Sequence, residues 1–246
     1  MTLDRSLALT EIESHAHALA AIAPRSWDAP VEGCPGWCVE DVVRHLCDVH
    51  WFWERIVAER LVAPPEGDHP ATPGLDRLVG HFEEGVARLV ATLAATDPGT
   101  PVWTWAPAQR DAAFVTRHQV QEMAVHHFDG ASAVGEPWAM APTVAADAVE
   151  EFLTFSVSSP QDPADPPRPP LGGRLGLLAR DANAAWTVVD AGAGTVTWSS
   201  GVVEPNGTLE ADAGRLLLWL YGRVEVDGDA AGHELGARLR ALTFTD

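Results

Sequence analysis

Apolar and polar positions alternate with helical spacing through most of the first half of the chain. A stretch from about Leu3 to Ile22 and a second from about Val39 to Arg60 are expected helices. In the second, Val39, Val42, Val43, Leu46, Val49, Trp53 and Ile56 line one stripe. A third, Leu75 to Ala94, repeats the pattern through Leu78, Phe82, Val86, Leu89 and Leu93, and a fourth runs from about Phe114 to Ala133. Four such helices in succession, joined by loops rich in Pro and Gly, predict a bundle.

The pattern changes after a further helix near Thr143 to Val157. The run from Ser158 to Pro170 is too dense in proline for helix or sheet and reads as a linker or extended loop. Strand-like segments follow at Arg174 to Ala179, Ala185 to Asp190 and Thr195 to Val203, then a short helix around Asp212 to Tyr221 ending at Gly222. The fold class expected is α+β, with a four-helix bundle over residues 1–140 and a small α+β domain over 141–246.

Composition narrows the chemistry. At 246 residues with 46% hydrophobic content the chain has enough apolar mass for a real core. It has no run of about eighteen apolar residues, and its first residues open no signal-peptide core. A soluble cytoplasmic monomer is expected. The net charge of −19 argues against nucleic acid or an anionic membrane as partner. All sixteen basic residues are Arg and none is Lys, which removes Schiff-base lysines, pyridoxal phosphate attachment and the phosphate-loop lysine. Cys34, Cys38 and Cys47 are odd in number and lack a second zinc-binding pair, so they read as small buried thiols.

The candidate chemistry lies in the fourth helix, within Gln121-Glu122-Met123-Ala124-Val125-His126-His127-Phe128-Asp129. Helical geometry places Glu122, His126 and Asp129 on one face, with His118 a turn earlier. Charged groups in a bundle interior are costly unless paired or bound to metal, whereas on an outer face the same stripe is merely solvated. A third ligand from the second helix would complete a His/Glu/His set, which suits catalytic zinc because three protein ligands leave a fourth position open. His45 and His50 flank that helix's apolar stripe on opposite sides, and periodicity does not choose between them. The wheel turns His127 away from Glu122, toward an expected surface role. His15, His17, His69, His81 and His233 are expected at the surface or as caps.

The stretch Cys34-Pro35-Gly36-Trp37, the following Val39-Glu40-Asp41-Val42-Val43-Arg44-His45-Leu46, Val102-Trp103-Thr104-Trp105 and the segment at 121–129 together resemble the mycothiol-dependent maleylpyruvate isomerase family. The closing Leu216-Leu217-Leu218-Trp219-Leu220-Tyr221-Gly222-Arg223 is similar to that family's C-terminal domain, a small unit like sterol carrier proteins; between Val144 and Val203 little is similar. The resemblance implies a DinB-like N-terminal bundle whose metal, zinc or another divalent ion, is held by His45, Glu122 and His126. It implies mycothiol as thiol cofactor and an electrophilic small molecule as substrate. Asp129 matches a family Asp and is expected to orient a ligand, while Arg223 is the candidate to clamp a carboxylate of substrate or cofactor. The family commonly has Arg after the second His, where this chain has His127.

The mechanism so implied is activation of a thiol, which ionises on a metal far below its free pKa of about 8.5 and adds to an activated double bond. Rotation and elimination would make the chain a cis–trans isomerase; release of the adduct would make it an S-transferase. Trp103 and Trp105 read chiefly as packing, with Trp105 the candidate for a cofactor wall. Two other readings remain: a metal-dependent hydrolase that needs no thiol, and a non-catalytic protein that binds a small molecule or metal.

Overall fold

The computed structural model describes residues 3–67, 70–157, 169–192 and 194–243. His69 and the proline-rich run over 158–168 lie outside the described residues. Two compact units divide the chain between Trp138 and Ala139.

In the first unit the helices are α1 (Arg5–Ile22), α2 (Val39–Glu59), α3 (Leu75–Ala95) and α4 (Ala112–Val134), with a 3-10 turn at Ala23–Arg25. Their ends are set locally. The Asp4 carboxylate accepts from Leu7 N–H at the start of α1, the Asp111 carboxylate from Phe114 N–H at the start of α4, and Gly135 closes α4 at φ +73°. Helices α3 and α4 each pack on both α1 and α2, which makes a four-helix bundle with α2 and α4 adjacent. Ile12, Leu19, Leu46, Ile56, Leu78, Phe82, Leu89 and Phe114 fill its core.

Helix α4 is enclosed on nearly every side. Besides α1 and α2, the chain beyond Gly135 returns along it, where the Trp138 indole donates to the Ala124 carbonyl at 2.9 Å. The enclosure corrects two expectations. His127 and His15 are both buried, and their Nδ1 atoms meet at 2.9 Å between α4 and α1. A helical wheel measures angle from Glu122, but a face turned away from one partner helix here meets another.

The second unit holds α5 (Pro142–Phe155), β1 (Arg174–Ala179), β2 (Ala184–Gly192), β3 (Thr195–Ser200), β4 (Gly207–Ala211), α6 (Ala213–Leu220), β5 (Asp227–Gly228) and α7 (Ala230–Arg240). The strands form one sheet in the order β3-β2-β1-β4-β5, antiparallel except for the β1/β4 pair. Helices α6 and α7 pack on β1 and β4, and α5 lies against α6 and β3. The architecture is α+β. Strand β3 stops short of the expected Val203 because Gly201 turns the chain at φ +84°.

Strand β4 and helix α7 have no counterpart in the sequence reading, for a physical reason. They meet backbone to backbone: a Cβ on Gly207 would sit 2.2 Å from the Gly232 nitrogen, and a Cβ on Gly232 would sit 2.3 Å from the Thr208 carbonyl oxygen. Contact by absence of a side chain leaves no apolar period to detect, and glycines read as turns. The same contact predicts that Gly232→Ala lowers stability by about 1–3 kcal/mol or more through overpacking, measured as a reduced urea midpoint of the far-ultraviolet signal.

Candidate metal centre

Helix α2 presents His45 and helix α4 presents Glu122 and His126 at their shared interface. The His45 Nε2 atom lies 3.0 Å from Glu122 Oε1, and His126 Nε2 lies 3.5 Å from the same oxygen. One donor atom from each residue falls within 4.8 Å of the other two. The two imidazoles meet edge to face at 4.9 Å between centroids. His126 is buried, while the His45 side chain keeps 30% exposure, so the cluster opens to solvent on the α2 side.

Electrostatics bind the cluster together. Burial alone would raise the Glu122 carboxyl, but the facing His126 charge and the hydrogen bonds with His126 and His45 hold it well below the usual carboxylate range. Burial alone would lower His126, yet the Glu122 charge and a 3.0 Å contact from its Nδ1 to Asp129 Oδ2 hold it well above the usual histidine range. Asp129 is buried, so it faces the interior and supports His126 at the ring nitrogen opposite Glu122.

A short turn completes the surroundings. In Cys34-Pro35-Gly36-Trp37 the Trp37 N–H donates to the Cys34 carbonyl at 2.9 Å, with Gly36 at φ +90°, as a proline-glycine turn requires. It leans the Trp37 indole against both imidazoles, at 5.2 Å from His45 and 6.3 Å from His126. It also places Cys34 Sγ 3.5 Å from Asp129 Oδ2. Cys34 and Cys38 are half-buried rather than buried, and the Cys38 thiol donates to Asp41; only Cys47 is enclosed, its thiol pushed up to about 12 first by burial. A cleft of about 610 Å³ beside the cluster is lined by Asp28, Glu32, Trp37, Cys38, Asp41 and Ser132 among others.

The other candidates fall elsewhere. His50 is fully buried, its Nε2 3.2 Å from Met123 Sδ and its ring beside Phe82. Trp105 and Trp103 are half-buried in an aromatic cluster, Trp105 on Phe114 and His118, Trp103 stacked on Trp53. Arg223, in the second unit, donates to the Tyr221 carbonyl at 2.9 Å and lies over its ring. In the sequence Trp37 stands out only as part of a motif, and Cys34 otherwise only as a small thiol. Their signal was the invitation to turn in Pro35-Gly36 just before α2, which brings them back onto that helix.

The family model of the mycothiol maleylpyruvate isomerase N-terminal domain matches residues 8–131, half of the chain and the segment that carries the whole cluster. The chain belongs to that family. Among solved structures it is similar to one described as the mycothiol-dependent maleylpyruvate isomerase, at TM-score 0.59 and 12% identity, covering 93% of this chain and 94% of that one. A histidine-to-alanine mutant of that isomerase gives TM-score 0.57 with the same identity and coverage. At this identity the likeness establishes a shared fold. Comparison with curated proteins gives no match.

His50 yields a prediction with a defined sign. Its pKa is lowered to about 3, chiefly by burial, whereas an unfolded histidine titrates near 6.5. A group whose folded pKa is depressed in this way must gain its proton on unfolding, so its neutral burial costs stability progressively as pH falls from about 6 toward 4. His50→Leu is expected to flatten the loss of unfolding free energy over that range by about 1.4 kcal/mol per pH unit. Urea titrations of both proteins at several pH values test it; equal slopes would sink the assignment.

Proposed function

We propose that the chain is a divalent-metal-dependent enzyme that activates mycothiol for addition to an electrophilic small molecule, as a maleylpyruvate-type cis–trans isomerase or an S-transferase. The observation that carries this reading is the convergence of His45 Nε2, Glu122 Oε1 and His126 Nε2 inside the family-matched segment. The donor set fits a divalent ion on charge as well as spacing. Glu122 and Asp129 bring two carboxylates to a cluster whose other ring groups are imidazoles, so a 2+ ion balances them without requiring a protonated histidine. Zinc suits the two imidazoles and one carboxylate, as do other divalent ions.

A divalent ion held by His45, Glu122 and His126 would supply Lewis acidity enough to ionise a thiol at neutral pH and make it a nucleophile. This chain's residues do the rest. Asp129 accepts from His126 Nδ1, which fixes the ring so that Nε2 points at Glu122. Trp37 packs on both rings and limits water on that side. The 30% exposure of His45 leaves an approach for thiol and electrophile.

The cleft beside Trp37 carries Asp28, Glu32 and Asp41 and, among the described residues, no basic side chain in its lining, so it repels an anionic electrophile and suits a neutral or cationic part of the thiol. The family's usual Arg after the second His is absent. His127 in its place is buried against His15, both held neutral with pKa values lowered to about 4, first by burial. Arg223 of the second unit remains our proposed guanidinium for a carboxylate of substrate or cofactor.

Three measurements test the reading. Metal analysis of purified protein is expected to give one divalent ion per chain, lost in His45→Ala and His126→Ala; unchanged stoichiometry in either variant would remove the ligand set. Asp129→Asn should keep the ligands yet weaken metal affinity by about 10–100-fold. Turnover of a maleyl substrate should require added mycothiol, whereas a rate indifferent to thiol would remove the thiol mechanism.

A further inference from the structure

His126 belongs to two donor sets. Its Nε2 faces Glu122 and His45, as described, but Cys34 Sγ, a ring nitrogen of His126 and an Asp129 oxygen also lie within 4.8 Å of one another. The Asp129 Oδ2 atom is 3.0 Å from His126 Nδ1 and 3.5 Å from Cys34 Sγ, and Cys34 also hydrogen-bonds His126. The two nitrogens of an imidazole point away from each other, so the sets occupy opposite edges of one ring.

The spacing is that of a coordination shell. With metal–sulfur bonds of about 2.3 Å and metal–oxygen bonds of about 2.1 Å, tetrahedral ligands lie roughly 3.6 Å apart, close to the thiol–carboxylate distance present. The donors differ in kind as well as place. The first set offers nitrogen and oxygen only, whereas the second adds sulfur, the donor that soft, thiophilic cations prefer. Cys34 is half-buried at a turn fixed by two chain-reversing contacts, Cys34 N–H to the Val31 carbonyl and Trp37 N–H to the Cys34 carbonyl, so the thiol is both held in place and reachable.

We propose that Cys34, His126 through Nδ1, and Asp129 form a second cation site, selective for thiophilic divalent ions such as Cd2+, that competes with the first set for His126. Binding there releases the Cys34 thiol proton and the Nδ1 proton that otherwise serves Asp129. A neutral imidazole ligates through one nitrogen, so filling the second set withdraws His126 from the first. The site is a route by which soft metals disable the centre, and it stands whether or not the protein is a thiol enzyme.

The probe is Cd2+ alone, titrated into metal-stripped full-length protein while the ultraviolet sulfur-to-cadmium charge-transfer band is read, without substrate or thiol. The wild-type protein is expected to develop the band. His45→Ala should retain it, since that residue belongs only to the first set, and Cys38→Ser should retain it too. Cys34→Ser, a near-isosteric change checked for folding by circular dichroism, should lose it. No band in the wild type, or a band that survives in Cys34→Ser, would overturn the proposal. Loss of the band in His45→Ala as well would also overturn it, because Cys34 would then belong to the first set.

Discussion

The placement of Glu122 constrains the first unit more than any other residue. A carboxylate almost enclosed between two helices is tolerable only if positive charge meets it in the same space, because its desolvation costs several kcal/mol. Helices α2 and α4 must therefore stay in a register that keeps His45 within 3.0 Å of it, and α4 must keep His126 a turn away. Asp129 adds a second buried negative charge on the far edge of His126. The apolar core explains why four helices associate. The charge cluster explains why they associate at one offset.

The surroundings amplify that constraint. His118, a turn before Glu122, sits amid the rings of Trp53, Trp105 and Phe114, and its charge also acts to lower the Glu122 pKa. An aromatic wall excludes water and weakens dielectric screening, so each charge in the cluster is felt more strongly than at a surface. Trp103 and Trp105 are thus packing groups with an electrostatic effect on the centre, Trp103 lying against Phe52 and Trp53, and Trp105 against Phe114 and His118.

How much of this was legible in the sequence differs by element. The helices of the bundle were readable to within a few residues, most plainly α2 and α3, each of which carries a stripe of large apolar side chains. Glu122 and His126 were readable as neighbours because residues four apart on a helix lie one turn apart. The choice of His45 over His50 was not, since both flank the α2 stripe; it needed family resemblance, and the structure brings His45 to Glu122 while His50 faces Met123. His15 and His127 were misjudged because a wheel treats a helix as having one buried face, and α4 has several. In the second unit, α7 escaped because its packing depends on Gly232 and Gly236 lying against the sheet and against Trp219, with Leu235 and Leu239 its only large apolar residues.

The turn at Cys34–Trp37 has a consequence for how such chains can vary. It supplies the indole against both histidines and the thiol beside Asp129, and it runs directly into Cys38 and Asp41, whose carboxylate accepts the Cys38 N–H to start α2. An inserted residue there would shift three contacts and the first turn of the helix bearing His45 together. Among the described residues, the connection between α2 and α3 carries no such contacts with the centre, and lengthening a surface loop costs little. Length variation among sequences that keep this centre should therefore gather between α2 and α3 and be nearly absent between Cys34 and Asp41.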